Sequence, residues 1–240
     1  MKLTYIYHSC YVVEADGFAV VFDYYKDSGT SPLKGYIHDE ILKREGRLYV
    51  LSSHFHPDHF NRDVLKWKAE KEDIVYILSS DILETGRAKE ADAHYLKKGD
   101  VYEDENLYVK AFGSTDAGVS FFFKAEGKQM FHAGDLNNWH WMDESTEQEV
   151  EEAGKAFLNE LETIAGTVSY LDLAMFPIDP RLGKRYMLGA EQFVSRLAVK
   201  ILAPMHFGEA YEKPAAFIDF AQKHRCYLLE LTHKGQQIEI

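Results

Sequence analysis

The chain has 240 residues, and 46% of them are hydrophobic, which is enough to bury the core of one large domain covering residues 1–240. Its 39 acidic residues outnumber its 27 basic residues, and the formal net charge is −12. This charge argues against a nucleic-acid partner, because proteins neutralise phosphates with clustered Lys and Arg.

Three features bear on the location of the protein. No apolar segment approaches the roughly 20 residues that span a bilayer. The first residues enter a strand-like pattern without the basic and apolar regions of a signal peptide. We interpret Cys10 and Cys226 as small apolar residues at strand positions rather than as a disulfide. We therefore expect a cytoplasmic protein with no membrane partner, whose oligomeric state the sequence leaves open.

Short runs rich in β-branched and aromatic residues recur along the chain and predict β-strands. In chain order, the predicted strands are residues 3–7, 11–14, 18–23, 48–51, 74–78, 107–112, 119–124, 130–132, 171–176, 201–204, 227–231 and 237–240. Turns at 15–17 and 125–127 join neighbouring strands as hairpins, since each ends in a glycine that tolerates positive φ. The pattern predicts an α/β protein with two packed sheets.

Helical periodicity is clearest at residues 146–164, where Val150, Phe157 and Leu161 recur at helical spacing. Ser145, with Gln148 three residues later, predicts a capping box at the start of this helix. Further helices are predicted at residues 61–70, 190–197 and 215–224. These helices would form outer layers on the sheets.

Six consecutive residues, His54 to His59, carry three imidazoles and a carboxylate directly after the predicted strand at 48–51. Loops at strand ends are common positions for functional residues, and imidazole and carboxylate are accepted ligands of Zn²⁺ and similar ions. In an extended loop His54 and His56 project to one side, whereas Asp58 and His59 turn away and can serve a neighbouring ion. The spacing therefore suggests two metal ions.

At these residues the sequence resembles the metallo-β-lactamase superfamily, whose His-x-His-x-Asp-His signature it matches. Downstream, residues 131–135 resemble the family's strand that ends in Gly-Asp, and residues 203–208 resemble its late Pro-x-His segment. The resemblance implies a four-layer αββα sandwich in which Asp135 bridges two metal ions. The implied metal ligands are His54, His56, Asp58, His59, Asp135 and His206. Zn²⁺ is the implied cofactor, with Mn²⁺ or Fe²⁺ as alternatives.

Two further landmarks resemble the branch that contains the L-ascorbate 6-phosphate lactonase-like proteins. Residues 7–9 stand where that branch has Gly-His-Ser, and residues 22–24 stand where it has Phe-Asp-Pro. In this chain Tyr7 replaces the glycine and Tyr24 replaces the proline. The resemblance implies that His8 lies near the pocket, where it could hydrogen-bond a ligand or substrate, although a purely structural role is equally compatible with its position.

The third histidine of the family's first metal site is missing from this chain. Ser114 falls where that histidine would stand. A serine hydroxyl is a poor zinc ligand beside imidazole, so Asp116 could move in, a water could fill the position, or the site could be weak. We therefore expect one strong metal site and one uncertain one. The strong site would comprise Asp58, His59, Asp135 and His206.

Two segments beside the expected ligands contain candidate substrate contacts. Trp139 and His140 closely follow Asp135 and should form part of the pocket rim, unless the tryptophan rings at 139 and 141 only pack the following helix. Arg181 lies in a loop that gathers three cations, and a guanidinium is well shaped to grip phosphate or carboxylate. A solvated loop is the alternative interpretation of that segment.

The resemblance implies a metal-dependent hydrolase that attacks a small anionic ester, lactone or phosphodiester with a metal-bound hydroxide. Asp58 would orient that hydroxide while binding the second ion, and His8 would assist at the pocket. His56 stands where redox-active di-iron relatives carry Glu, which favours hydrolysis. The alternatives are a phosphodiesterase or nuclease, and a non-catalytic metal-binding relative, the latter because of Ser114.

Overall fold

The structure, a computed structural model, describes all residues from 1 to 240. Its first sheet contains seven strands. They are β1 (Lys2–Tyr7), β2 (Cys10–Ala15), β3 (Phe18–Phe22), β4 (Arg47–Ser52), β5 (Ile74–Ser79), β6 (His94–Leu96) and, from the C-terminus, β14 (Gln237–Glu239). The strand β14 pairs with β1, and the sheet then follows chain order to β6. The pairs from β1 to β3 are antiparallel, and those from β3 to β6 are parallel.

The second sheet repeats this organisation with seven strands in chain order. They are β7 (Val101–Glu103), β8 (Tyr108–Phe112), β9 (Ser120–Ala125), β10 (Lys128–His132), β11 (Tyr170–Pro177), β12 (Ala198–Met205) and β13 (Tyr227–Leu228). The pairs from β7 to β10 are antiparallel, and those from β10 to β13 are parallel. Both predicted hairpins are present, with Gly17 at φ +75° and Gly127 at φ +77°. The sequence missed β6 and β7, which have three residues each and are only partly buried.

The two sheets pack face to face through alternating apolar residues. Phe22 of β3 meets Phe123 of β9 with ring centroids 4.8 Å apart. Val20 and Phe22 belong to this large core, whereas Ala19 and Val21, which point to the opposite face of β3, belong to a separate cluster beneath the outer helices. Both faces of the sheet are therefore covered, and the predicted αββα sandwich is confirmed.

Helices and helical turns form the outer layers. They are a π-helical turn at Ile37–Ile41, 3₁₀ segments at Arg62–Ala69, Glu90–Asp92 and Pro180–Arg185, and the α-helices α1 (Ser80–Glu84), α2 (Glu147–Ala165), α3 (Leu188–Arg196), α4 (Glu212–Ala215) and α5 (Ile218–Lys223). None of the helices combines the length and the apolar composition required to cross a membrane.

The observed helices differ in three details from the simplest interpretation of the sequence. The capping box of α2 is formed by Thr146 and Glu149, one residue later than predicted, because the hydroxyl of Thr146 accepts from the backbone N–H of Glu149 while the Glu149 carboxylate accepts from that of Thr146. The segment predicted at 61–70 is a 3₁₀ helix. The segment predicted at 215–224 contains α5, Ile218–Lys223, and its first residue ends α4, Glu212–Ala215. Between the two helices, the N–H groups of Ala216 and Phe217 donate to carbonyls three residues earlier, so the α-helical hydrogen-bond pattern is interrupted there.

The chain direction brings several strand ends to one edge of the sandwich. The parallel strands β3 and β4 end there in the first sheet, and β10, β11 and β12 end there in the second. Residues that immediately follow these strands, although distant in sequence, therefore meet at this edge.

Both cysteines are free and buried, as predicted.

Candidate metal centre

The loop after β4 is held in place by backbone contacts. The backbone carbonyl of His56 accepts hydrogen bonds from the N–H groups of His59, at 3.0 Å, and Phe60, at 2.8 Å. Two glycines let neighbouring loops approach it closely. A Cβ on Gly118 would lie 2.1 Å from the carbonyl oxygen of Ser53, and a Cβ on Gly134 would lie 2.6 Å from the Cβ of Ser53. Both glycines also have positive φ, which disfavours any other residue.

One set of side chains, which we call the first group, consists of His54, His56, Asp116 and Asp135. Their possible ligand atoms all lie within 4.8 Å of one another. His54 Nε2 is 3.4 Å from Asp135 Oδ2, and His56 Nδ1 is 3.4 Å from Asp116 Oδ2. Asp116 therefore stands at the position that the sequence left open. The hydroxyl oxygen of Ser114 lies 3.4 Å from the backbone N–H donor of Asp116.

A second set, the second group, consists of His8, Asp58, His59 and His206, again with all possible ligand atoms within 4.8 Å. His8 Nε2 lies 3.3 Å from Asp58 Oδ2, and the ring centroids of His8 and His206 are 4.1 Å apart. The sequence predicted a place near the pocket for His8. The structure puts its imidazole within this set of potential ligands.

Asp135 lies between the two groups. Its Oδ1 is 3.1 Å from His59 Nε2 and 3.3 Å from His206 Nε2, whereas its Oδ2 faces His54. One carboxylate thus presents one oxygen to each side, which is the arrangement required of a residue that bridges two cations. The six side chains proposed as ligands from the sequence are gathered here, together with His8 and Asp116.

Buried partners fix the orientation of three histidine rings. Asp23 Oδ2 lies 2.7 Å from His59 Nδ1, Asp179 Oδ2 lies 2.9 Å from His206 Nδ1, and Ser53 Oγ lies 2.9 Å from His54 Nδ1. Each contact engages Nδ1 and leaves Nε2 directed toward Asp135. Neither Asp23 nor Asp179 was expected from the sequence to orient a histidine. Both carboxylates come immediately or shortly after a buried strand that ends at the site, and that position was the available signal.

Several polar atoms at the centre have no hydrogen-bond partner. They are buried, and they comprise the Nε2 atoms of His8, His54, His59 and His206, together with Asp135 Oδ1. Buried polar atoms are normally paired, because leaving one unsatisfied costs roughly 1–3 kcal/mol. Imidazole nitrogens and carboxylate oxygens form the donor set that Zn²⁺ and other divalent ions accept. The residues present therefore fit bound divalent cations.

The electrostatics of the centre also suit cations. Burial lowers the pKa of His54 to about 3, which keeps this imidazole in the neutral form that binds metals. Burial opposes the charged form of His59, but Asp135 and Asp23 outweigh it and hold the pKa of His59 well above its usual value. These carboxylates thus strongly favour positive charge at the centre.

The three predicted substrate contacts lie in different surroundings. Trp139 borders the site, since its indole N–H donates to the backbone carbonyl of Asp135 at 2.7 Å and its ring centroid lies 5.5 Å from that of His206. His140 is buried away from the centre. Its Nε2 lies 3.1 Å from the carbonyl of Arg185, and its Nδ1 accepts from the N–H of Met142 at 3.1 Å. Both of its nitrogens therefore bind backbone.

Arg181 lines a cleft of about 430 Å³ together with His8, Asp58 and His206. Its guanidinium is bound to Asp179, with Nη2 2.6 Å from Oδ2 and Nε 3.0 Å from Oδ1. The side chain remains 61% exposed. Arg181 is thus available to a ligand in the cleft, and it also holds the carboxylate that orients His206.

Proteins of known structure share this fold. Igni18, a metallo hydrolase of the archaeon Ignicoccus hospitalis, superimposes with a TM-score of 0.69 and 17% identity over 100% of this chain and 98% of its own. CmlA, a diiron β-hydroxylase of Streptomyces venezuelae, has a TM-score of 0.69 and 11% identity over 100% of this chain and 54% of its own. A hydrolase and a hydroxylase therefore share the architecture, so the fold alone does not define the reaction.

The sandwich and its two groups of histidines and aspartates define a metal-dependent hydrolase. In sequence, the chain is 24% identical over 266 aligned residues to a UPF0173 metal-dependent hydrolase of Bacillus pumilus, with 100% of both chains covered. The model of the β-lactamase superfamily domain matches residues 2–206. The chain belongs to this superfamily, and the resemblance inferred from its motifs is confirmed.

Proposed function

We propose that this hydrolase cleaves a small anionic ester, lactone or phosphodiester at a centre that holds two divalent ions. The observation that carries the proposal is the convergence of three unpartnered imidazole nitrogens, those of His54, His59 and His206, on the carboxylate of Asp135. The first group would hold one ion, and Asp58, His59 and His206 of the second group would hold the other, with Asp135 shared between them. Zn²⁺ is the proposed metal, with Mn²⁺ or Fe²⁺ as alternatives, and the cytoplasm is the proposed location.

We propose that the two sites differ in strength. In the first group, the side chains of His56 and Asp116 are 37% and 47% exposed. In the second group, His59 is fully buried and His206 is only 3% exposed, and each is oriented by a buried carboxylate. Preorganised and desolvated ligands bind an ion more tightly, so the second site should be the stronger one.

When bound, a pair of divalent ions lowers the pKa of water and polarises the bond that is cleaved. The protein side chains would then place the reactants. Asp58 lines the cleft, and its carboxylate is the proposed acceptor of the proton of the attacking water. His8 Nε2, at 3.3 Å, would hold this carboxylate in position. Arg181 and Trp139, which both lie beside His206, would contact the substrate.

The proposal can be tested by combining metal content with turnover. The purified protein, loaded in turn with Zn²⁺, Mn²⁺ and Fe²⁺, is assayed with an aryl ester that carries a carboxylate, a phosphorylated sugar lactone and bis(4-nitrophenyl) phosphate. We expect two equivalents of metal and hydrolysis of at least one substrate. Asp135→Asn should lose both, whereas Asp219→Asn, an exposed change on α5, should lose neither. Full metal content without any turnover would favour the non-catalytic alternative.

A further inference from the structure

Lys26 lies on two tyrosine rings beside the metal cleft. Its ammonium is 3.8 Å from the ring centroid of Tyr7 and 5.7 Å from that of Tyr25. These distances are those of cation–π contacts, which hold a cation without neutralising its charge. Tyr7 and Tyr25 lie 5.9 Å apart, and both line the cleft that contains His8, Asp58 and His206. Lys26 therefore lies at the edge of the cleft that contains the metal centre.

The positive charge at this position is not balanced. The ammonium of Lys234 lies 5.5 Å from the same Tyr7 ring and forms an ion pair of 3.0 Å with Glu209. Lys26 forms no ion pair, and its side chain is exposed. The positive charges of Lys26 and Lys234 thus lie near one aromatic ring, and only one carboxylate, that of Glu209, accompanies them. This is unusual in a chain whose net charge is −12. Because like charges repel at this range, an additional anion would stabilise the pair.

Tyr25, beside Lys26, also borders two cavities. Tyr25 lines both the metal cleft and a neighbouring cleft of about 1010 Å³, whose walls include Lys26, Lys234 and Trp67. A substrate that reacts at the metal centre and extends past Tyr25 would bring its far end to the two lysines. The Gly-His-Ser landmark has glycine at the position of Tyr7. The aromatic ring that supports Lys26 is therefore a feature of this chain and not a part of the metal site.

We propose that Lys26, supported by Tyr7 and Tyr25, is a specificity-determining residue that binds a carboxylate or phosphate at the end of the substrate remote from the bond that is cleaved. The inference rests on the proposed hydrolase function. It differs from the contact proposed for Arg181, which lies against the metal ligand His206. Lys234 would contribute to the same anion site, with Glu209 limiting its net charge.

The test uses substrates that differ only in the remote charge. The 4-nitrophenyl half-esters of succinic, glutaric and adipic acid are compared with the corresponding methyl diesters, in wild type and in Lys26→Gln. We expect Lys26→Gln to raise KM for at least one half-ester roughly two- to fivefold, with kcat unchanged, because an exposed ion pair is screened by solvent. The neutral diesters should be unaffected, and added salt should reduce the wild-type preference for the half-ester.

Lys128→Gln is the matched control, since it removes the same charge from the first residue of β10, at the end of that strand remote from Asp135. Tyr7→Leu should reproduce the selective loss by removing the aromatic support. Equal effects on half-esters and diesters, or no effect on any half-ester, would overturn the proposal.

A binding measurement separates the inference from the proposed hydrolysis. Titration of the purified protein with succinate, glutarate and adipate should show weaker binding in Lys26→Gln than in Lys128→Gln, whether or not any ester is hydrolysed. Identical binding by these two variants would contradict the anion site. Absence of hydrolysis together with Lys26-dependent binding would contradict only the proposed reaction.

Discussion

Asp179 holds His206 by a contact of 2.9 Å between its Oδ2 and the Nδ1 of the imidazole. The same carboxylate binds the guanidinium of Arg181, with Oδ2 2.6 Å from Nη2. A single buried residue thus joins a proposed metal ligand to a proposed substrate contact. The surrounding charges also keep Asp179 ionised, since the contacts with His206 and Arg181 outweigh burial and lower its pKa to about 2. Loss of Asp179 should therefore disturb both His206 and Arg181, whereas loss of Arg181 leaves the contact between Asp179 and His206 in place.

We predict that Asp179→Asn weakens metal binding by about 10- to 100-fold, because the imidazole of His206 loses the carboxylate that orients it. The measurement is a competition titration against a chromogenic chelator. Asp172→Asn is the matched control at the beginning of the same strand, where an amide oxygen can still accept the N–H of Gln129. Unchanged metal affinity in Asp179→Asn would show that His206 is oriented by its own packing.

We predict that Arg181→Ala lowers kcat/KM for an anionic phosphodiester by roughly 10- to 150-fold and leaves a neutral ester nearly unaffected, as expected for loss of a charged hydrogen bond to substrate. The two substrates are compared under identical metal loading. Equal losses for both would instead identify Arg181 as a positioning residue that acts through Asp179. If kcat/KM falls for neither substrate, the loop that contains Arg181 is a solvated surface loop without a part in substrate binding.

We predict that Asp116→Ala reduces the metal content from about two equivalents to about one, because it removes the carboxylate that faces His56 at 3.4 Å. Elemental analysis after dialysis against limiting metal provides the measurement. Ser114→Ala should retain the wild-type content, since a neutral serine hydroxyl is a poor zinc ligand beside imidazole and carboxylate. If the loss instead follows Ser114→Ala, the serine or a water bound to it completes the first site.

We predict that Gly134→Ala destabilises the protein by roughly 1–3 kcal/mol or more, since a Cβ at φ +54° would also lie 2.6 Å from the Cβ of Ser53. Gly127→Ala is the control, because this hairpin glycine has φ +77° but no atom within 4 Å of an added Cβ. It should show only the backbone cost of about 1–2 kcal/mol. Urea unfolding of the metal-free variants gives both values. Equal losses would mean that the Ser53 loop can move aside.

The sequence by itself determined much of the framework of this protein. Alternating apolar runs located some strands, because successive side chains of a strand point to opposite faces of the sheet. Continuous apolar runs located others, because the central strands are covered on both faces. The run from His54 to His59 identified the loop of candidate metal ligands, because these residues are adjacent in the chain. The helices were less well defined, since local spacing does not distinguish α from 3₁₀ geometry in a short segment such as Arg62–Ala69.

Only the tertiary structure decided which side chains from distant segments meet. His8, Asp116 and Asp179 follow three different strands, and each reaches the centre because those strands end at one edge of the sandwich. The same holds for Lys26 and Lys234, which are far apart in sequence but approach one ring of Tyr7. Such contacts depend on strand order and direction in the two sheets, and these are fixed by packing of the whole core rather than by local residue patterns.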